Sequence, residues 1–436
     1  MKQTSPVCSI SRQLTFLIFV VCSVSAWAAG VQGTVLYQFT AGTNNGDGPT
    51  GALVADKAGN FYGTTASGGN YNNDCSVNGC GIIFELSPPS ARGGSWTESV
   101  IYAFQGASDG SQPLCTLVID GAGNLYGTSF GTGGIVVFEL SPPSSEGQAW
   151  AFDNLYTFAA LNGNSAGDLL RDQTGSLYGT SYSGGSGACG PGCGTVFEVS
   201  PPAQQGGAWT GAIIYNFQDP SDGLSPYGGL VMDRKGSLYG TTVGGGDQSC
   251  NADEGCGTVF QLVPPTQQGG AWTKNLLYAF HGTDGSEPYA TLIFDKKGNL
   301  YGTTNVGGPP GCAYKLGCGT AFELSPPAQP GGAWTDTVLY DFRDGAGRYP
   351  LSTVILDPHG NAYGTASAGG LDDDGIVFEL SPQEDATWVE KQFELADVVG
   401  GSAATPFAGL IFGPGDTVLG TATGGFGGGA VFSVGP

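Results

Sequence analysis

Histidine is almost missing from this chain, which contains only His281 and His359. Basic residues are also scarce: 14 Lys and Arg face 37 Asp and Glu, for a formal net charge of −23. With both histidines in loop sequence, no Ser/His/Asp or Cys/His arrangement for nucleophilic catalysis is in view. The acidic balance argues against nucleic acid and anionic membrane surfaces as partners, because a field of that sign repels them. Long helices are excluded by 78 glycines and 26 prolines, which interrupt almost every stretch of about ten residues. Charged residues make up only 12%, yet 40% are apolar, enough to build a core, so the chain is not a disordered one.

No apolar run reaches the ~20 residues that a membrane-spanning helix needs. The longest candidate, Leu14 to Val24, follows Lys2 and Arg12 and precedes Ala26-Trp27-Ala28. That order reads as an export signal, with cleavage before Ala29. It predicts a signal peptide at 1–28, a mature chain of 29–436 without a membrane span, and a secreted or extracytoplasmic location, periplasm or cell surface.

Cysteine usage agrees with an oxidising compartment. Cys8 and Cys22 leave with the signal, and eight of the other nine form close pairs: Cys75/Cys80, Cys189/Cys193, Cys250/Cys256 and Cys312/Cys318. Zinc would need a second pair near each of these, so local disulfides are the expectation. Cys115 is left over within the apolar run Leu114 to Ile119 and is expected to be a buried thiol.

What the sequence has in abundance is a repeat. Tyr-Gly-Thr occurs at Tyr62, Tyr126, Tyr178, Tyr239, Tyr301 and Tyr363, and a seventh copy begins at Leu419, with spacings of 64, 52, 61, 62, 62 and 56 residues. Each unit parses into four strands. In the fourth unit these are Gly229 to Met232, Ser237 to Thr242, Thr258 to Val263 and Leu277 to Phe280. Asp233-Arg234-Lys235-Gly236 forms a tight turn between the first two, with Asp as the cap and Gly at positive φ. The chain opens on Val35 to Phe39, a fourth strand with no unit before it, and closes on Ala430 to Val434, a third strand with no fourth after it. The two incomplete ends complement each other and leave no wide unpaired edge. The predicted fold is therefore an all-β, seven-bladed β-propeller with four-stranded blades, its ring closed by the N-terminal strand. The blades fall at about 50–104, 113–158, 165–217, 227–280, 288–342, 350–395, and 405–436 plus 33–40.

The run Asp-x-x-Gly-Asn-Leu-Tyr-Gly-Thr-Thr, followed by Gly-Thr-Val-Phe-Glu-Leu-Ser-Pro, stands out at Asp295 to Thr304 with Gly319 to Pro326, and at Asp120 to Ser129 with Ile135 to Pro142. It resembles the Tyr-Gly-Thr repeat of the choice-of-anchor tandem repeat proteins of the GloVer type. The resemblance covers nearly everything after Gly33. It implies an exported or surface-displayed bacterial protein with a propeller-like fold, and it carries over no activity. Members often have a C-terminal anchor; no anchor segment is expected before Pro436.

Residues that repeat read as scaffold. Trp96, Trp150, Trp209, Trp272, Trp334 and Trp388 occupy one repeat position and are expected to pack the outer hairpin. The repeated tyrosines read as blade-to-blade packing, and Asp56, Asp120, Asp172, Asp233, Asp295 and Asp357 as turn caps. Function is expected where the units differ, on the face that gathers the cysteine loops and the Asp-Gly loops between blades. There Asp109, Asp222, Asp284 and Asp344, with Asp373 from the run Leu371 to Gly375, are the candidate ligand-binding residues, and Asp253 and Glu254 lie in a cysteine loop beside them. No cofactor is expected, with calcium the one ion such a rim would suit, although no segment matches an EF-hand loop. No phosphate loop or dinucleotide fingerprint is present. The leading expectation is a monomeric, non-catalytic binding or interaction scaffold for a glycan or cell-surface ligand. The alternatives are a polysaccharide-acting hydrolase or lyase with carboxylates at the channel mouth, and a passive structural surface protein.

Overall fold

The computed structural model describes residues 33–435, apart from 41, 43, 72–74, 76, 92, 107, 132, 146, 160–166, 191, 205, 249, 251–253, 268, 313–316, 330, 371–372, 396–404 and 425–427. The expected signal peptide, Asp253, Leu371 and Asp372 lie outside the described residues. Seven antiparallel sheets form the blades of a ring. In blade 4 the strands run from the centre outward as Val231–Met232, Leu238–Thr242, Thr258–Val263 and Thr273–Ala279. The innermost strand is shorter than its sequence suggested, because Gly228 and Gly229 turn into the wall of the central channel. Blade 1 adds a short edge strand, Asp47–Pro49, which the repeat pattern did not announce. The described helical content is one 3-10 turn, Pro414–Asp416, and no helix is long and apolar enough to cross a membrane.

Blade 7 closes the ring as its two half-units required. Gly33–Gln38 pairs antiparallel with Ala430–Val434, from Gly33 opposite Val434 to Gln38 opposite Ala430. The hairpins inside each blade follow from turn chemistry. In the fourth unit the Asp233 carboxylate accepts the N–H groups of Lys235 and Ser237 at 2.8 and 2.9 Å, and Gly236 takes φ +83°.

The three residues of Tyr-Gly-Thr do three separate jobs. The tyrosine ring lies against the tryptophan of the following blade: Tyr62 to Trp150 at 5.9 Å, Tyr178 to Trp272 and Tyr239 to Trp334 at 6.2 Å. The glycine makes room for the third-strand phenylalanine of its own blade. A Cβ at Gly302 would lie within 3 Å of both Phe322 and Leu292. The threonine hydroxyl donates across to a carbonyl of the next blade's channel wall. Thr64 reaches Cys115 at 3.1 Å, Thr180 reaches Gly228 at 2.9 Å, Thr241 reaches Ala290 at 3.2 Å, and Thr303 reaches Ser352 at 3.1 Å. Thr365 reaches Ala408 at 3.2 Å, and Thr421 reaches Gly51 at 3.0 Å, so the chain of bonds passes across the closure. These buried carbonyls lie beyond the short innermost strands, so a side-chain donor meets their need for a partner. Fully buried phenylalanines link the blades further, as in Phe217 against Phe260 at 5.3 Å and Phe280 against Phe322 at 5.1 Å.

Candidate ligand site at the channel mouth

All four expected disulfides form, with Cα–Cα distances of 4.9, 5.1, 5.3 and 5.5 Å. Each fixes a loop whose last cysteine carbonyl accepts an N–H from the next blade. The donors are Gln112 to Cys80 at 2.7 Å, and Ser225 to Cys193, Glu287 to Cys256 and Tyr349 to Cys318, all at 2.9 Å. The four donor residues have φ of +49°, +58°, +58° and +59° and each precedes a proline. A side chain at positive φ costs on the order of 1 kcal/mol or more, so each strap depends on the bonds that hold it. Beyond the proline the chain descends the channel wall: Pro226-Tyr227-Gly228-Gly229 in blade 4 and Pro288-Tyr289-Ala290-Thr291 in blade 5.

The wall encloses a cavity of about 490 Å³ to which every blade contributes. One column of the wall holds only small residues: Gly51, Cys115, Gly167, Gly228, Ala290, Ser352 and Ala408. The reason is crowding, since a Cβ on Gly51 would press into the carbonyl of Cys115. Cys115 is the expected buried free thiol and serves as a small residue here; burial pushes its pKa up to about 11. In the adjacent column three bonds cross from blade to blade: Ala52 N–H to Thr116 Oγ1 at 3.1 Å, Thr116 N–H to Asp168 Oδ1 at 2.6 Å, and Gly229 N–H to Thr291 Oγ1 at 2.7 Å. Asp168 is enclosed by protein except toward the channel, and burial raises its carboxyl above the usual range. Among the described residues it is the one carboxylate on the cavity wall, whereas glycoside chemistry needs two.

Beside this column, aromatic side chains cluster on blades 3 to 5. Tyr182 and Tyr227 meet edge to face at 6.1 Å and 85°, and Tyr227 and Tyr289 at 5.2 Å and 77°. Tyr227 is 40% exposed, as is Phe407 on the wall of blade 7, so both present ring surface to solvent. Glu287, on its strap, accepts a bond from Asn305 Nδ2 at 3.0 Å. The Tyr289 hydroxyl is held protonated, first by burial, then by Glu287, the two neighbouring tyrosines and Glu254.

The candidate aspartates are distributed differently. Asp109, Asp222 and Asp284 sit over the outer strands and accept bonds from Tyr102 at 2.7 Å, Tyr215 at 2.9 Å and Tyr278 at 2.5 Å. Their remaining bonds close the loops: Gln105, Gln218 and His281 donate backbone N–H groups, and Lys274 pairs with Asp222 at 2.9 Å. Asp344 and Asp373 do come together, on either side of Arg348 at 3.3 and 2.6 Å, with Arg348 over the Tyr349 ring. Asp336, which the repeat pattern did not single out, lies at the seam beside Asp284; burial and that neighbouring charge push its pKa up to about 7. The one grouping of metal-type ligand atoms among the described residues is Cys312, Cys318 and Asp344; its two sulfurs are joined in a disulfide, which leaves only the carboxylate. Tyr182, Tyr227, Tyr289, Glu287, Asn305 and Asp168 were not singled out from sequence. The signal was there, as columns at fixed offsets from the repeat in which residue type changes from blade to blade.

A family model described as the Gloeobacter/Verrucomicrobia repeat matches residues 73–268 and 191–434. No curated protein matches the chain. Among solved structures, the chain is similar to PorZ, a bacterial surface component of the type-IX secretion system of Porphyromonas gingivalis. Identity is 13% and the TM-score 0.50, over 89% of this chain and 47% of that one, so the match spans about half of the PorZ chain. It is also similar to a protein of unknown function from Dyadobacter fermentans, at 12% identity and TM-score 0.46 over 93% and 97% of the two chains. A third likeness is to an aldose sugar dehydrogenase from Streptomyces coelicolor, at 11% identity and TM-score 0.44 over 93% and 98%.

Proposed function

The chain belongs to the Gloeobacter/Verrucomicrobia repeat family, and from that premise we propose that it is an extracytoplasmic, non-catalytic binding propeller whose ligand enters the stapled mouth of the channel. One observation carries the reading. The repeat accounts for the scaffold, while the residues that change from blade to blade converge on one cavity with exposed tyrosine rings. A cavity of this size, mostly apolar and with a few convergent polar groups, is the usual form of a small-ligand site. The four disulfides fit an exported protein. Asp344 and Asp373, exposed beside Arg348, are the rim residues proposed to meet the outer part of a glycan or cell-surface ligand. Asp109, Asp222 and Asp284 are proposed to hold the loops in shape.

The test is binding of residues 29–436 to an array of glycans and envelope extracts. Tyr227→Ala is expected to weaken the signal about tenfold, and Asp109→Asn to leave it intact. Binding that Tyr227→Ala leaves unchanged would place the site elsewhere.

A further inference from the structure

We propose that the ligand carries a substituted ammonium group, seated against the rings of Tyr227 and Tyr289 beside Glu287 and above Asp168. The inference rests on the mouth being the binding site. It follows from the balance of charge at that cavity. Aromatic faces attract organic cations, and the attraction grows when the cation is shielded from water. Here three tyrosines meet nearly at right angles. The carboxylates around them are matched by neutral partners: Glu287 by the Asn305 amide, and Asp168 by the backbone N–H of Thr116. Glu254 adds to the negative field at Tyr289. No basic side chain lines the cavity among the described residues, and Arg348, on the strap that leads into blade 6, is already held between Asp344 and Asp373.

Other ligand chemistries fit less well. An anion would face these carboxylates and the net charge of −23. An extended peptide adds to a sheet edge, whereas the residues that line this cavity lie outside the strands. A neutral sugar would stack on the same rings but gain nothing from the field. An ammonium group gains from both rings and field, either as a small free cation or as the amino groups of a deacetylated sugar chain.

The probes are choline, a tetramer of glucosamine and the N-acetylated form of that tetramer, titrated calorimetrically into residues 29–436. The expected result is that at least one cationic probe binds, choline pointing to a small cation and the glucosamine tetramer to an amino-sugar chain. That binding is expected to weaken about tenfold in Glu287→Gln and in Tyr227→Ala, and to weaken with added salt. The N-acetylated tetramer, similar in shape but uncharged, should bind about tenfold more weakly than the amino form. If the acetylated tetramer binds as tightly and is still lost in Tyr227→Ala, the mouth is the site and the charge inference is wrong. If binding of every probe is indifferent to Tyr227→Ala, the inference and the site reading fall together. No binding of either cationic probe also overturns the inference. Glu287→Gln preserves shape and the bond to Asn305, so its effect reports charge and not folding.

Discussion

At the scale of single residues, the acidic composition has a local cost at the seam between blades 4 and 5. Asp336 Oδ1 is buried without a hydrogen-bond partner, and Asp284 stands beside it with Tyr278 donating to its carboxylate at 2.5 Å. Burial and the Asp284 charge raise the Asp336 pKa to about 7 in the fold, against 3.8 for the unperturbed group. A folded-state value above the unfolded one means that the native state holds the proton more tightly. The contribution of Asp336 is therefore fully present below about pH 4 and is lost as pH rises to about 7. Asp336→Asn cannot ionise and should remove that loss. Its melting temperature should exceed that of the wild type at pH 8, by the equivalent of ~1–3 kcal/mol after allowance for partial solvent access, and the two should converge near pH 4. A difference that does not change with pH would disprove this assignment. In the sequence, Asp336 looks like any strand aspartate. Its neighbour Asp284 lies 52 residues earlier, on the preceding blade. The same distance hid the work of the motif threonines: Thr303 is visible as a repeat, but its acceptor Ser352 lies 49 residues on.

At the scale of elements, the stapled loop, the strained strap and the wall form a relay from one blade to the next. The four disulfides were legible because partners four to six residues apart leave little choice of pairing. The straps were not, because Gln112, Ser225, Glu287 and Tyr349 share no side-chain chemistry, only the proline that follows. The relay makes an expectation about Cys250→Ser/Cys256→Ser. So short a closed loop contributes modestly to stability, about 2 kcal/mol. Ligand binding should fall more than the melting temperature suggests, because the Cys256 carbonyl holds Glu287 N–H and so sets the pitch of Pro288 and Tyr289. Thermal melting and binding, measured on the same double variant, check it. Equal binding with a lowered melting point would confine the disulfide to a stabilising role.

At the scale of the whole molecule, closure was the most legible feature of all, since a stray fourth strand at one end and a missing one at the other fit only each other. The site was much less legible. A repeat advertises its constant positions, whereas the mouth is built from its variable ones, and these come together only once the ring has curved. Deleting 33–38 should leave the third strand of blade 7, Ala430–Val434, as an exposed edge. Light scattering on the purified variant is expected to show association or aggregation; a well-behaved monomer with an unchanged melt would mean that the closure contributes little.

The closure also sets how the molecule bears a load. Gly33 faces Val434 across the pairing, so the two ends of the propeller leave from the same end of one ladder. Tension applied between them would act on that first rung alone and peel the ladder open rung by rung, which is the mechanically soft direction for a β-sheet. Tension between either end and something gripped in the channel takes a different path. It runs through the wall, where threonine bonds cross six of the seven seams between blades, and is shared among them. As a link between a surface and a bound ligand, the molecule is strong when held by one end and fragile when held by both.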